Sequence, residues 1–278
     1  MALAVASFTY FLPSPTPLPT RIDDSVATPS GKRGLLLVNL GSPAAPTRSA
    51  VRAFLKQFLG DPRVVEANRA VWAFVLNVII LPFRSGKSAK LYQSIWTDAG
   101  SPLITNGVDL CKAVAQHVGA RYEVVLGMRY GEPSIASAFK ELRGRGCSSV
   151  LVLPLFPHRT AWLLAERLGL ARDEWEMVFQ SQFGSEPWLQ PYLDEYVPDL
   201  AMKYKRVRVM APSFAADCLE TIEEIGTELR KDFAEAGGEE LIVVPALNSD
   251  PSWVRAIDDL VRNADKEVQA NRPDAAAS

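Results

Sequence analysis

The stretch Leu35-Leu36-Leu37-Val38-Asn39-Leu40-Gly41-Ser42-Pro43 decides the fold, because a mainly apolar, β-forming run ends abruptly in glycine and proline. Continuous apolar runs of this kind are typical of parallel strands buried on both faces. The later runs of the same type are Val124–Met128, Val150–Leu155, Met177–Phe179, Val207–Met210 and Leu241–Val244. Amphipathic helical stretches lie between them, such as residues 48–59, with Thr47 as the predicted N-cap. This alternation predicts an α/β fold with doubly wound parallel sheets.

Composition limits the classes of function. The chain has 278 residues, of which 48% are apolar and 22% are charged, which is ordinary for a globular protein. Its formal net charge of −2 gives no electrostatic reason to expect a nucleic-acid partner. The three cysteines form no C-x-x-C pair, so neither a zinc ribbon nor a disulfide scaffold is indicated. A reducing, cytoplasmic setting is the simplest expectation.

Both ends of the chain differ from the rest. Met1 to Thr20 has no charged residue and contains four prolines, so residues 1–33 are predicted to be a disordered extension. The apolar start lacks basic residues, which argues against a secretory signal. Targeting to an organelle by residues 1–30 stays open as an alternative. The polar, alanine-rich tail, residues 263–278, is also predicted to be disordered.

Ligands of doubly wound folds bind beyond the carboxyl ends of the strands. Several predicted strands end there in Gly or Pro followed by polar residues, as in Met128-Arg129-Tyr130-Gly131. His158 closes another strand at this edge. A functional and a purely structural role for His158 are equally open, because imidazole serves both.

A row of acidic residues follows the strand near residue 210. Glu220, Glu224 and Glu228 recur every four residues, and Asp217 falls in the same sector of a helix. No Lys or Arg occurs between residues 217 and 229 to offset the like charges. One interpretation is a wall that attracts a cation. The other is a solvated face opposite a buried one.

The segment Ala70–Phe83 is almost wholly apolar, with Asn77 as its single polar residue. At 14 residues it is too short to span a bilayer. It is either a buried helix or an exposed apolar lip that contacts a membrane or a large flat ligand.

Taken together, the motifs resemble ferrochelatases, and the bacterial-type sequences look most similar. The motifs of the first half are Val38–Pro43, Phe58–Val65, Ile80–Arg84, Gly100–Leu103, Met128–Gly131 and Leu153–Pro157. Those of the second half are Phe179–Ser181, Glu186–Pro191, Phe214–Thr221 and Ala246–Asn248. The resemblance implies a chelatase-like fold of two Rossmann-like halves, residues 34–158 and 159–262.

The chain departs from that family between His158 and Arg159. Members ordinarily complete the first half there and open the second with a strand that ends in a Ser-x-His-Gly/Ser-Leu-Pro motif. Here the strand runs directly into a predicted helix, Arg159–Leu168. The resemblance therefore implies that each half lacks a part, and that the missing part includes the family's catalytic histidine.

The resemblance also implies site residues. Glu220 would be the catalytic carboxylate beside a porphyrin, and Glu220, Glu224, Glu228, Asp217 and His158 would handle the metal. The positions around the macrocycle would be Leu40, Arg84, Tyr92, Ser101, Arg129, Tyr130, Trp188 and Phe214. Arg84 and Arg129 would pair with its propionates. Core packing is the alternative role for Trp188 and Phe214. Ferrous iron would be a substrate, with no prosthetic group.

Three functions follow as expectations. The first is a ferrochelatase, a lyase of haem biosynthesis that inserts ferrous iron into protoporphyrin IX, with peripheral membrane contact through Ala70–Phe83. The second is a non-catalytic porphyrin or haem binder. The third is an inactive deletion product. Protoporphyrin and coproporphyrin are not distinguished by these residues.

Overall fold

The computed structural model describes residues 2–7, 32–62, 64–65, 68–155, 175–179 and 191–270. These residues form two parallel sheets covered by helices. The strands are β1 Ala2–Ser7, β2 Arg33–Gly41, β3 Tyr122–Tyr130, β4 Ser149–Pro154, β5 Trp175–Phe179, β6 Arg206–Met210 and β7 Glu240–Val243. The α-helices are α1 Arg48–Leu59, α2 Arg69–Phe74, α3 Leu81–Ile95, α4 Pro102–Val118, α5 Ile135–Gly144, α6 Leu193–Lys203, α7 Arg230–Glu235 and α8 Pro251–Ala270. Two π-helical segments, Val75–Ile80 and Glu220–Leu229, and a 3₁₀ turn, Gly119–Arg121, join some of them.

The first sheet has the strand order β3-β2-β4, and β2, which contains the apolar run Leu35–Leu40, lies at its centre. Leu37 pairs in register with Leu126 of β3 and with Leu153 of β4. Alternate residues of β2 enter different cores: Leu35 packs with α4, whereas Leu36 packs with α5. Helices therefore cover both faces, which confirms the predicted doubly wound arrangement.

The second sheet has the order β5-β1-β6-β7, so the first strand of the chain lies inside it. Ala4 of β1 pairs with Glu176 of β5 and with Val209 of β6, both in parallel. The prediction of a disordered extension over residues 1–33 is therefore wrong for Ala2–Ser7. That stretch has neither charge nor proline, so nothing in it opposes a central strand position. Residues 8–31 lie outside the described part of the chain.

The predicted disorder of the tail is also wrong as far as residue 270, because α8 continues to Ala270. Val254, Ile257 and Val261 place the apolar side of α8 in the core of the first half. Farther along, Asp265 accepts hydrogen bonds from Arg33 and Tyr122. These contacts tie the last helix to the first sheet.

The remaining predicted elements agree with the structure where it describes them. All the predicted strands are present. Thr47 caps α1 by accepting a hydrogen bond from the backbone N–H of Ala50. The helix predicted at Arg159–Leu168 lies outside the described residues.

The apolar segment belongs to a longer helix than predicted, since α2, the π-helical turn and α3 run without a break from Arg69 to Ile95. By length and composition alone this 27-residue helix could cross a bilayer, a test that core helices of soluble proteins also pass. Its most apolar window is 17% buried, however, and Phe83 is 76% exposed. Leu76 and Leu81 pack in the core, whereas the other side chains of Ala70–Phe83 are partly or fully exposed. The segment is therefore an exposed apolar surface and not a buried helix, and its contact with a membrane or a flat ligand stays a prediction.

Candidate functional site

A cavity of about 460 Å³ opens at the carboxyl ends of strands from both sheets. Its lining includes Leu40 and Gly41 of β2 and Phe179, the last residue of β5. Apolar side chains form much of the wall: Phe54, Leu55, Phe58, Leu91, Leu103 and Leu219. The cavity is where the fold class predicts a ligand, and its apolar wall suits a large hydrophobic molecule.

One wall of the cavity bears a row of carboxylates. Glu220, Glu224 and Glu228 all line it, as the four-residue spacing predicted. The helix differs from the prediction, because residues 220–229 form a π-helix. A π-helix has more than four residues per turn, so residues four apart stay on one side. Segments of this kind are frequent at functional sites.

Other acidic residues extend the row, and sequence reasoning missed them. Asp232 lines the same cavity from α7. It follows Glu228 by four residues, so the same four-residue spacing could have predicted it. Asp194 and Glu195 join from the first turn of α6. No sequence pattern connects α6 with residue 220, since only the tertiary fold brings them together.

Two uncharged hydrogen-bond donors, the hydroxyl of Tyr92 and the thiol of Cys218, lie near Glu220. Burial, reinforced by the charges of Glu220 and Glu224, raises the pKa of Tyr92 well above its usual value. Burial also raises the pKa of Cys218, and its side chain hydrogen bonds to Glu220. The phenol and the thiol therefore remain protonated at neutral pH next to the carboxylates. Cys218 was not singled out from the sequence, because a lone cysteine gives no pattern.

Asp217 is placed differently from the other acids. Its carboxylate accepts hydrogen bonds from Thr221 Oγ1 at 3.1 Å, Ala246 N at 3.1 Å and Asn248 Nδ2 at 2.7 Å. It is absent from the cavity wall, so the structure does not support its predicted place in a metal-handling row. Within the part of the chain that the structure describes, no three His, Cys, Asp or Glu side chains form a group able to hold a metal ion. His158 lies outside that part.

Five of the predicted macrocycle positions line the cavity: Leu40, Arg84, Tyr92, Ser101 and Phe214. Ser101 Oγ accepts a hydrogen bond from Ser42 Oγ at 2.7 Å, and both serines are buried. Among the described residues that line the cavity, Arg84 is the only Arg or Lys. Trp188 lies outside the described residues.

Arg129 and Tyr130 do not reach the cavity wall, in contrast to the prediction. Asp61 accepts hydrogen bonds from Arg129 Nη2 at 3.3 Å and from the Tyr130 hydroxyl at 2.9 Å. Burial and the bond to Asp61 raise the pKa of Tyr130 to about 12. Asp61 thus accepts a hydrogen bond from one nitrogen of the guanidinium that the prediction assigned to a propionate.

Fold and site together define an α/β protein with a partly apolar cavity that has a row of carboxylates along it. The ferrochelatase family model matches residues 32–162 and, separately, residues 158–265. A ferrochelatase of Herminiimonas arsenicoxydans is 36% identical over 312 residues, covering 81% of this chain and 85% of the relative. Ferrochelatases of Thioalkalivibrio sulfidiphilus and Aeromonas hydrophila are each 37% identical, covering 86% and 83% of this chain and 88% and 98% of those relatives. The chain belongs to the ferrochelatase family.

These comparisons bear on the predicted internal break. The aligned stretch of 312 residues is longer than the whole chain of 278 residues, so that relative contains residues without a counterpart here. The family model matches the chain in two separate ranges that overlap at residues 158–162, around the predicted break between His158 and Arg159.

Proposed function

We propose that this chain inserts ferrous iron into a porphyrin bound in the cavity, as an enzyme of haem biosynthesis. The observation that supports it most is the row of carboxylates in a cavity that also has many apolar side chains, in a chain of this family. A flat apolar ring needs apolar walls, and replacement of its central protons by a cation needs bases.

The reaction defines what the residues have to do. Fe²⁺ binds the four ring nitrogens while two pyrrole N–H bonds break, so one porphyrin and one Fe²⁺ give one haem and two protons. Glu220 accepts protons from the ring, and Glu224, Glu228 and Asp232 relay them toward solvent. The same negative charges raise the local concentration of Fe²⁺. Protonated Tyr92 and Cys218 add no charge beside Glu220.

The remaining wall orients the ring. Leu40, Phe54 and Phe58 contact its faces and edge, since they line the cavity on the side of β2 and α1. Arg84 pairs with a carboxylate substituent, because guanidinium matches carboxylate geometry. Protoporphyrin IX is the substrate favoured by the family resemblance.

A second function is favoured by the missing segment. A chain that keeps the apolar walls and the carboxylate row but lacks the segment with the family's histidine motif would bind porphyrin without metallating it. Removal of an essential base typically costs a factor of about 10²–10⁴ in rate.

Titration of protoporphyrin IX into the protein, with and without Fe²⁺ under anaerobic conditions, separates these functions. Metallation seen as a haem spectrum supports the enzyme. A shift of the porphyrin absorption bands without metallation supports the binder. Absence of both, together with a broad thermal transition, indicates an inactive deletion product and contradicts both proposals.

We also propose that the protein is cytoplasmic and contacts a membrane peripherally through the exposed lip. Val71, Phe74 and Phe83 are 63%, 62% and 76% exposed. The segment from residue 67 to residue 97 contains no acidic residue but has four basic ones: Arg69, Arg84, Lys87 and Lys90. An apolar surface with basic flanks suits an anionic lipid surface.

Exchange of both lip phenylalanines, Phe74→Ser with Phe83→Ser, is expected to weaken vesicle binding by about tenfold or more, because apolar area is lost from the interface. Co-sedimentation with phosphatidylglycerol-containing vesicles measures it. Phe139→Ser is the matched control, since Phe139 is exposed to 44% on α5, away from the lip. Equal binding by all three proteins would contradict a lip-mediated contact.

A further inference from the structure

We propose that Asp217 and Asn248 form a positioning latch that holds Glu220 at the correct place on the cavity wall. The inference rests on the proposed function, because it assigns Glu220 the reacting carboxylate. It gives Asp217 a role different from the one its sequence spacing predicted. Asp217 acts through Glu220 and does not touch the substrate.

The two residues pair reciprocally. Asn248 Nδ2 donates to Asp217 Oδ2 at 2.7 Å, and the Asp217 backbone N–H donates to Asn248 Oδ1 at 2.9 Å. The surrounding backbone adds Ala246 N to Asp217 Oδ1 at 3.1 Å and Asn248 N to Ala215 O at 2.9 Å. The loop after β7 is thereby fastened to the segment that precedes the π-helix.

The latch reaches Glu220 through one helical turn. Thr221 Oγ1 donates to Asp217 Oδ1 at 3.1 Å, and the backbone N–H of Cys218 donates to Thr221 Oγ1 at 3.0 Å. Thr221 is buried and directly follows Glu220. Asp217 therefore fixes the turn from which the Glu220 side chain enters the cavity.

The latch also connects Glu220 with the first half of the chain. The loop with Asn248 leads directly into α8, whose Val254 and Ile257 pack in the core of the first half beside Leu35. Leu40, five residues farther along β2, lines the same cavity as Glu220. The position of Glu220 relative to Leu40 therefore depends on the loop between β7 and α8.

Both carboxylate oxygens of Asp217 are occupied by neutral donors. Oδ1 accepts from Thr221 and Ala246, and Oδ2 accepts from Asn248. A carboxylate that relays protons or binds iron needs a free oxygen that faces the ion's route, and Asp217 is not on the cavity wall. The geometry favours a positioning role.

An exchange of the two side chains tests the latch. Asp217→Asn alone sets an amide nitrogen against Asn248 Nδ2, so two donors face each other. The double variant Asp217→Asn with Asn248→Asp restores every hydrogen bond and moves the negative charge to the other loop. Residue 248 has a φ of 45°, a left-handed conformation in which Asn and Asp are both enriched, so the backbone accepts the exchange.

For Asp217→Asn we expect kcat to fall about tenfold while the Kd for protoporphyrin stays within about threefold, because the base is displaced but the apolar walls are intact. The double variant is expected to recover kcat and the thermal midpoint to near the wild-type values. Iron insertion under anaerobic conditions, porphyrin fluorescence titration and thermal unfolding provide the readouts.

A double variant that stays as slow as Asp217→Asn, with its thermal midpoint restored, would overturn the latch and show that the charge itself is required at residue 217. Absence of metallation by the wild-type protein is a different result, since it contradicts the proposed function. In that case the latch is judged by the thermal midpoint alone, and failure of the exchange to restore it contradicts the pairing.

Discussion

The Ala4→Pro variant is expected to lose about 3 kcal/mol or more of unfolding free energy, because proline removes an N–H from the ladder and clashes within a paired strand. Ala4 pairs with Glu176 on one side and with Val209 on the other, so no edge is available to accommodate the ring. A loss of this size is a large fraction of the total stability of a typical domain. Urea unfolding followed by tryptophan fluorescence measures it.

Ala2→Pro is the matched control. Ala2 is the first residue of β1, a position at which proline is tolerated, and the two variants have the same composition. Its midpoint in urea should stay close to that of the wild type. Equal midpoints for Ala4→Pro and the wild type would show that the N-terminal segment does not occupy the sheet.

Deletion of residues 2–7 removes β1 and should therefore also destabilise the second sheet. Without β1 the sheet order β5-β1-β6-β7 is interrupted, and β5 loses its link to β6 and β7.

Strand β1 illustrates why part of the fold could not be predicted from sequence. The runs Leu35–Leu40 and Val124–Met128 can be predicted as strands from their length and their content of leucine and β-branched residues. Each of them lies in a strand of the structure. Ala2–Ser7 is short and alanine-rich, and alanine has weak β-propensity. Its strand conformation depends on pairing with β5 and β6, which are about 170 or more residues away in sequence.

In the candidate site, too, features set by local sequence could be predicted, whereas contacts between distant elements could not. A local spacing of four residues was enough to place Glu220, Glu224 and Glu228 on one side of a helix, and it holds even though the helix is π-helical. Contacts between distant elements were not predictable. The pairing of Arg129 with Asp61 spans 68 residues, and nothing local distinguishes an arginine that meets a ligand from one that meets an internal carboxylate.

Glu220→Gln is expected to reduce kcat for iron insertion by a factor of about 10²–10⁴, because glutamine cannot accept the pyrrole protons. The apolar walls remain, so the Kd for protoporphyrin should change by less than about threefold, and the loss should appear in kcat. Stopped-flow absorbance of haem formation, with porphyrin fluorescence titration beside it, separates the two quantities.

Glu223→Gln provides the matched control, since it makes the same chemical change on the same π-helix. Glu223 is buried but is not part of the cavity wall. Burial and the charge of Glu228 raise its pKa above the usual 4.5, so its ionised form lowers stability once the pH rises through that raised value. Its replacement by glutamine should therefore leave kcat unchanged and should not lower the thermal midpoint at neutral pH. A loss of kcat in Glu223→Gln equal to that in Glu220→Gln would mean that the helix as a whole, and no single carboxylate on the wall, sets the rate.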